Sequence, residues 1–147
     1  MKKIILAAAA FTLFASCDVQ RKDRIAGDSN VDSAKRANAM NNLTTIELID
    51  SAYDFGTVAD GEKVEYSYRF KNTGKTPLVI VSATASCGCT VPEKPENPIA
   101  PGETGFIKVV FNSSGRVGQN HKDITVVANT SPTFPTLKLT GEVKAKQ

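Results

Sequence analysis

Residues 63–70 read KVEYSYRF, and the alternation in that run constrains the fold more than any other feature of the chain. Successive side chains of an extended strand point to opposite faces. Val64, Tyr66, Tyr68 and Phe70 therefore share one face, and Lys63, Glu65, Ser67 and Arg69 the other. This is the pattern of a half-buried strand. The same period recurs in FIKVVF, with Ile107, Val109 and Phe111 together, and in DITVVA, with Ile124, Val126 and Ala128. In TLKLTGEV, Leu137, Leu139 and Val143 oppose Lys138, Thr140, Glu142 and the following Lys144. TIELI and PLVIVSA complete the set, and the turn-forming clusters ADGE, NTGKTP, APGE, NSSGRVG and NTSPTFP separate its members. Six or seven short strands at this spacing, with no convincing helical period, predict an all-β sandwich. A side chain such as Phe111 or Leu139 contributes roughly 1.5–3 kcal/mol when fully buried. About 100 residues supply enough of them for a self-sufficient core.

The chain has 147 residues, and its opening segment is of a different kind. MKK is a positive leader, and IILAAAAFTLF is an apolar stretch too short to span a bilayer stably. The FASC that follows resembles the lipobox of bacterial lipoproteins, in which the cysteine is diacylated and becomes the new N-terminus. Phe14 departs from the pattern, since leucine is usual there and Leu13 sits one place earlier. The competing reading is an ordinary secretory signal with Cys17 incidental. Residues 18–43 hold few large apolar side chains and mixed charge, so they cannot bury enough surface to offset the entropy of ordering them. The organisation expected is thus a signal peptide over 1–16, a lipidated N-terminus and tether over 17–43, and one domain over 44–147. Such a tether spans roughly 25–30 Å. It would place the domain in the cell envelope, facing the periplasm from the outer or inner membrane, with the lipid anchor and another envelope protein as its partners. Asp18 resembles an inner-membrane retention signal of enteric bacteria, a rule that differs between lineages.

Composition excludes several functions. The formal charge is +3, and removal of Lys2 and Lys3 leaves about +1, which offers no footprint for nucleic acid. Tryptophan is absent and His121 is the single histidine. No nucleophile-elbow pattern accompanies a serine and no glycine-rich phosphate loop follows a strand, so no enzyme is expected. Asp60, Glu62, Glu93 and Glu96 sit in turns and read as solvated.

FGTV (55–58), GEKV (61–64), FKNTGKTPLVI (70–80), SCGCT (86–90), IAPGE (99–103), VVF (109–111) and LTGEV (139–143) occur in one order. In this the chain resembles the bacterial family known as domain of unknown function 1573, over about residues 44–145. The resemblance implies an immunoglobulin-like β-sandwich of about seven antiparallel strands, related to domains of ciliary and centrosomal proteins and to major sperm protein. It assigns no activity; related sandwiches serve as binding or scaffolding modules.

The cysteines carry the strongest chemical signal. Lipidation of Cys17 would consume one of three thiols and leave Cys87 and Cys89 as a pair in an oxidising compartment. Gly88 between them can take dihedral angles closed to other residues, which would permit a tight bend. Three readings compete. One is a local disulfide pinning a strand end, although it closes almost no loop and so gains little entropically. The second is a thiolate pair for a soft ion such as Cu(I), the only cofactor expected under any reading. The third is a redox pair, against which the C-x-C spacing tells. A closed zinc site would need more ligands than His121 adds.

Pro92, Pro95, Pro98 and Pro101 recur at the period of a polyproline II helix. They would form either a stiff partner-binding ridge or a connection crossing between sheets. Asp-Ser-Ala occurs at 32–34 and 50–52, which resembles an O-glycosylation pattern of Bacteroidetes envelope proteins, with Ser33 and Ser51 as acceptors.

Overall fold

The alternating segments become strands, and their apolar faces meet. A computed structural model describes residues 37, 38 and 40–146; the leader, Cys17, Ser33 and most of the tether lie outside the described residues. Eight strands follow one another: β1 Ile46–Leu48, β2 Ala52–Ala59, β3 Lys63–Asn72, β4 Ile80–Ala85, β5 Thr90–Glu93, β6 Thr104–Asn112, β7 Gly118–Ala128 and β8 Leu137–Lys144. One sheet is ordered β1-β3-β6-β5 and the other β2-β8-β7-β4. The expected immunoglobulin-like sandwich is what forms, with two adjustments. There are eight strands, because AYDFGTVA and TVPE also pair. The pairing of β2 with β8 is parallel, while the others are antiparallel.

The core lies between the sheets. Tyr68, Phe70, Ile107, Phe111, Ile124 and Leu137 are fully enclosed, and Val109, Leu139 and Val143 nearly so. Tyr53 of one sheet stacks on Tyr66 of the other at 3.8 Å between ring centroids. Tyr68 donates its hydroxyl to the Lys138 carbonyl at 2.7 Å, so the buried phenol has a partner. Burial pushes the ionisation of that phenol far above the ordinary tyrosine value.

The strands lie along an axis between two ends of the sandwich, which the longer ones span. The proximal end is where the chain leads in at Thr44, whose amide donates to the Asn129 carbonyl at 2.9 Å. It also carries the β3–β4, β5–β6 and β7–β8 connections. The distal end carries the β2–β3 turn, the β4–β5 crossover, the β6–β7 loop and the residues after Lys144. No helix among the described residues is long and apolar enough to cross a membrane.

Candidate functional site

β4 ends in one sheet and β5 begins in the other, so residues 86–89 must cross the sandwich at its distal end. A disulfide joins Cys87 to Cys89, with their Cα atoms 5.4 Å apart. The Thr90 hydroxyl lies 3.7 Å from the Cys87 sulfur and 3.9 Å from that of Cys89. Backbone bonds hold the crossover at both flanks. Ser86 N–H donates to the Asp123 carbonyl, Asn112 N–H to the Cys89 carbonyl and Thr90 N–H to the Cys87 carbonyl. The freedom expected of Gly88 is not used. Its φ lies outside the left-handed region, and a Cβ there would meet nothing within 4 Å.

Beside the crossover, Lys63, Arg116, Val91 and Val110 line a depression of about 400 Å³ that Cys89 also borders. Val91 and Val110 are register partners on β5 and β6. The loops around it are tied together. Gly115 N–H donates to the Asp60 carboxylate at 2.7 Å, Ser113 N–H to the Glu62 carbonyl at 3.0 Å, and Asp60 N–H to the Lys144 carbonyl at 2.8 Å.

The proline segment forms neither the expected connection between sheets nor one continuous polyproline helix. β5 and β6 are neighbours in one sheet, so the connection through Pro95, Pro98 and Pro101 does not cross between sheets; the crossing lies upstream, at the cysteines. Pro92 pairs with Val109, the chain bends at Glu96 and Asn97, and Pro101 opens a turn, which breaks the run into pieces. Pro92 has its own physical role. Because the Cys89 carbonyl faces β6, alternation turns the backbone of Thr90 and Pro92 to the free edge. The Thr90 N–H is taken by Cys87 and Pro92 has none, so this edge offers no donor to a further strand.

His121 is exposed on the outer face of β7, in a separate depression with Asp54, Thr140 and Glu142. Among the described residues no hydrogen bond joins its imidazole to a hydroxyl or carboxylate. No group of three or more His, Cys, Asp or Glu side chains that could hold a metal occurs among them either. Ser51 is exposed before β2, and its carbonyl accepts from Lys138 N–H at 3.0 Å. The neighbouring Asp50 receives Nε and Nη2 of Arg69 at 2.7 and 3.1 Å. That hydrogen-bonded guanidinium holds the carboxyl below the usual carboxylate range and raises the arginine in turn.

The motif FKNTG acquires its meaning only at the proximal end. Phe70 is core, while Asn72 is fully buried and fully used. Its Oδ1 accepts from Thr44 Oγ1 at 2.7 Å and from Gly74 N–H at 3.1 Å. Its Nδ2 donates to the carbonyls of Thr76 at 2.9 Å and Ile99 at 3.0 Å. A Cβ on Gly74 would lie only 2.7 Å from the backbone nitrogen of Thr45. Asn129 repeats the device, accepting from Val79 N–H at 2.7 Å and donating to the carbonyls of Asn42 and Pro77. These motif residues clamp the incoming chain. A buried asparagine flanked by turn residues was the available signal, but its partners lie up to 87 positions away.

Two four-stranded sheets, a parallel β2–β8 pair beside antiparallel neighbours, and a chain that passes repeatedly from one sheet to the other define an immunoglobulin-like sandwich. The family model described as protein of unknown function DUF1573 matches residues 46–143, and the chain belongs to that family. A protein of unknown function from Porphyromonas gingivalis superposes with a TM-score of 0.60 at 20% identity, covering 68% of this chain and 47% of that one. The chain thus spans about half the length of that relative. The seventh PapD-like domain of human CEP192 superposes at 0.56 with 16% identity, covering 71% and 89% of the two chains. The Vibrio cholerae VesB protease matches at 0.51 with 14% identity, over 76% of this chain and 34% of that one, a likeness of fold alone. The curated proteins yield no match.

Proposed function

We propose that this protein is a binding or scaffolding module of the cell envelope, anchored by a lipid on Cys17 and presenting the distal end of its sandwich to another envelope protein. The polarity of the sandwich carries the reading. The chain leads in at Thr44, and the Cys87–Cys89 crossover with its depression lies at the opposite end. An anchor upstream of Thr44 would attach at the end opposite the crossover, and a tether of roughly 25–30 Å leaves the crossover free to reach a partner. Binding is favoured over catalysis because, among the described residues, no nucleophile is paired with a base. Copper handling is the weaker reading, because a bonded cysteine pair offers no thiolate to a soft ion.

Photo-crosslinking in intact cells tests the module. A crosslinking residue at Ser114 or Lys144, at the distal end, should capture a discrete protein that one at Thr73 or Lys75 does not. Equal capture from both ends would count against the reading. Cys17→Ser should release the protein from the membrane fraction, and its retention there would remove the anchor from the proposal.

A further inference from the structure

We propose that the depression beside the Cys87–Cys89 crossover binds an extended peptide segment of a partner protein in which a carboxylate stands two positions from an apolar side chain, on the same face. This deepens the binding reading and rests on it.

Two cations converge on the depression, Lys63 from the start of β3 and Arg116 from the β6–β7 loop, and no carboxylate lines it. The ion pairs among the described residues are Arg69–Asp50 and Lys108–Glu65, so neither cation is neutralised in this way. An arriving carboxylate would meet both cations, and the guanidinium fork suits it geometrically. Arg116 is also presented by a stiff loop. Its N–H donates to the Ser113 carbonyl at 3.0 Å, and its carbonyl accepts from Asn120 Nδ2 at 2.7 Å. Little backbone ordering entropy remains to be lost there on binding.

The apolar half of the site is Val91, 57% exposed, beside Val110. Further along the same face of β6 stands Phe106, 51% exposed, in a second depression with Pro95 and Ile99. Four residues of strand separate Phe106 from Val110, roughly 13 Å, which an extended peptide spans with every other side chain facing the sheet. The peptide is held by side chains on the face and does not add as a strand, because the free edge of β5 has no donor to offer. Anionic lipid headgroups would satisfy the same cations but make no use of apolar side chains spaced along an extended chain, and vesicles separate the two.

The test is a nuclear magnetic resonance titration of the ¹⁵N-labelled full-length chain in zwitterionic detergent. The probes are the blocked peptide acetyl-Gly-Glu-Ser-Val-Ser-Val-Gly-amide, whose Glu and two Val side chains share one face of an extended chain, and its glutamine counterpart. The glutamate peptide should shift the amides of Val91, Val110, Asn112 and Arg116 saturably, and the glutamine peptide should bind at least about tenfold more weakly. Lys63→Glu combined with Arg116→Glu should lose at least about tenfold while keeping the dispersed spectrum of a folded sandwich. Lys75→Glu at the proximal end should change nothing. Equal binding of the two peptides, or shifts confined to other surfaces, would overturn the proposal. So would phosphatidylglycerol vesicles that shift the same amides as strongly. If both peptides fail while distal crosslinks still capture a protein in cells, the binding module stands and only its ligand chemistry falls. If the distal crosslinks fail as well, both fall.

Discussion

The ring of Phe55 on β2 occupies the space that a Cβ on Gly141 of β8 would need. The parallel pairing of the two strands puts them there, and Phe55 continues inward to stack on Phe111 at 5.4 Å. Gly141→Ala should therefore destabilise the domain by about 1–3 kcal/mol in urea unfolding, as overpacking does. In a Phe55→Leu background the same change should cost less, and an equal cost in both backgrounds would disprove the contact. Gly88→Ala is the contrasting case. With open space and an ordinary φ, it should stay within about 0.5 kcal/mol of the parent.

Asn72→Ala should cost about 3 kcal/mol. It takes the acceptor from the buried Thr44 hydroxyl and a donor from the carbonyls of Thr76 and Ile99, of which Ile99 keeps only the Leu78 N–H. Hydrogen exchange should locate the loss at residues 44–48 and 73–79 first. Uniform loosening of both ends would mean that Asn72 is not the clamp described.

The legible part of this fold is the part that alternates. Val64 to Phe70, Ile107 to Phe111 and Leu137 to Val143 could be assigned to a buried face because each strand carries its own record of inside and outside. β2 could not, since its register shifts between Asp54 and Thr57, around a glycine with φ of 67°, and the shift scrambles the period. β5 is four residues long and contains a proline, too little to show a period. The crossover was legible as two cysteines, but which segment changes sheets is a matter of long-range pairing. Lys63 and Arg116, 53 positions apart, carried no local signal of proximity.

Replacing Pro92 with valine should restore an outward N–H on the β5 edge. The variant should self-associate, seen as concentration-dependent sedimentation at unchanged secondary structure. A variant that stays monomeric would show that the edge is protected by other means, such as its short length.

Asp50 makes stability depend on acidity. Its carboxyl titrates lower in the folded chain than in the unfolded one, so its contribution is present above the ordinary carboxylate range and is lost as pH falls through the folded value. The stability difference between the parent and Asp50→Asn should accordingly shrink as pH falls below the ordinary carboxylate range, and shrink further with added salt. A difference that widens on acidification would contradict the assigned direction.

The side-by-side parallel course of β2 and β8 also bears on mechanics. Traction between Thr44 and Lys144 would draw these neighbours lengthwise in opposing directions, loading their ladder in shear rather than opening it one rung at a time. Single-molecule extension should find a higher rupture force along that line than when the hooks are placed at Thr73 and Lys144.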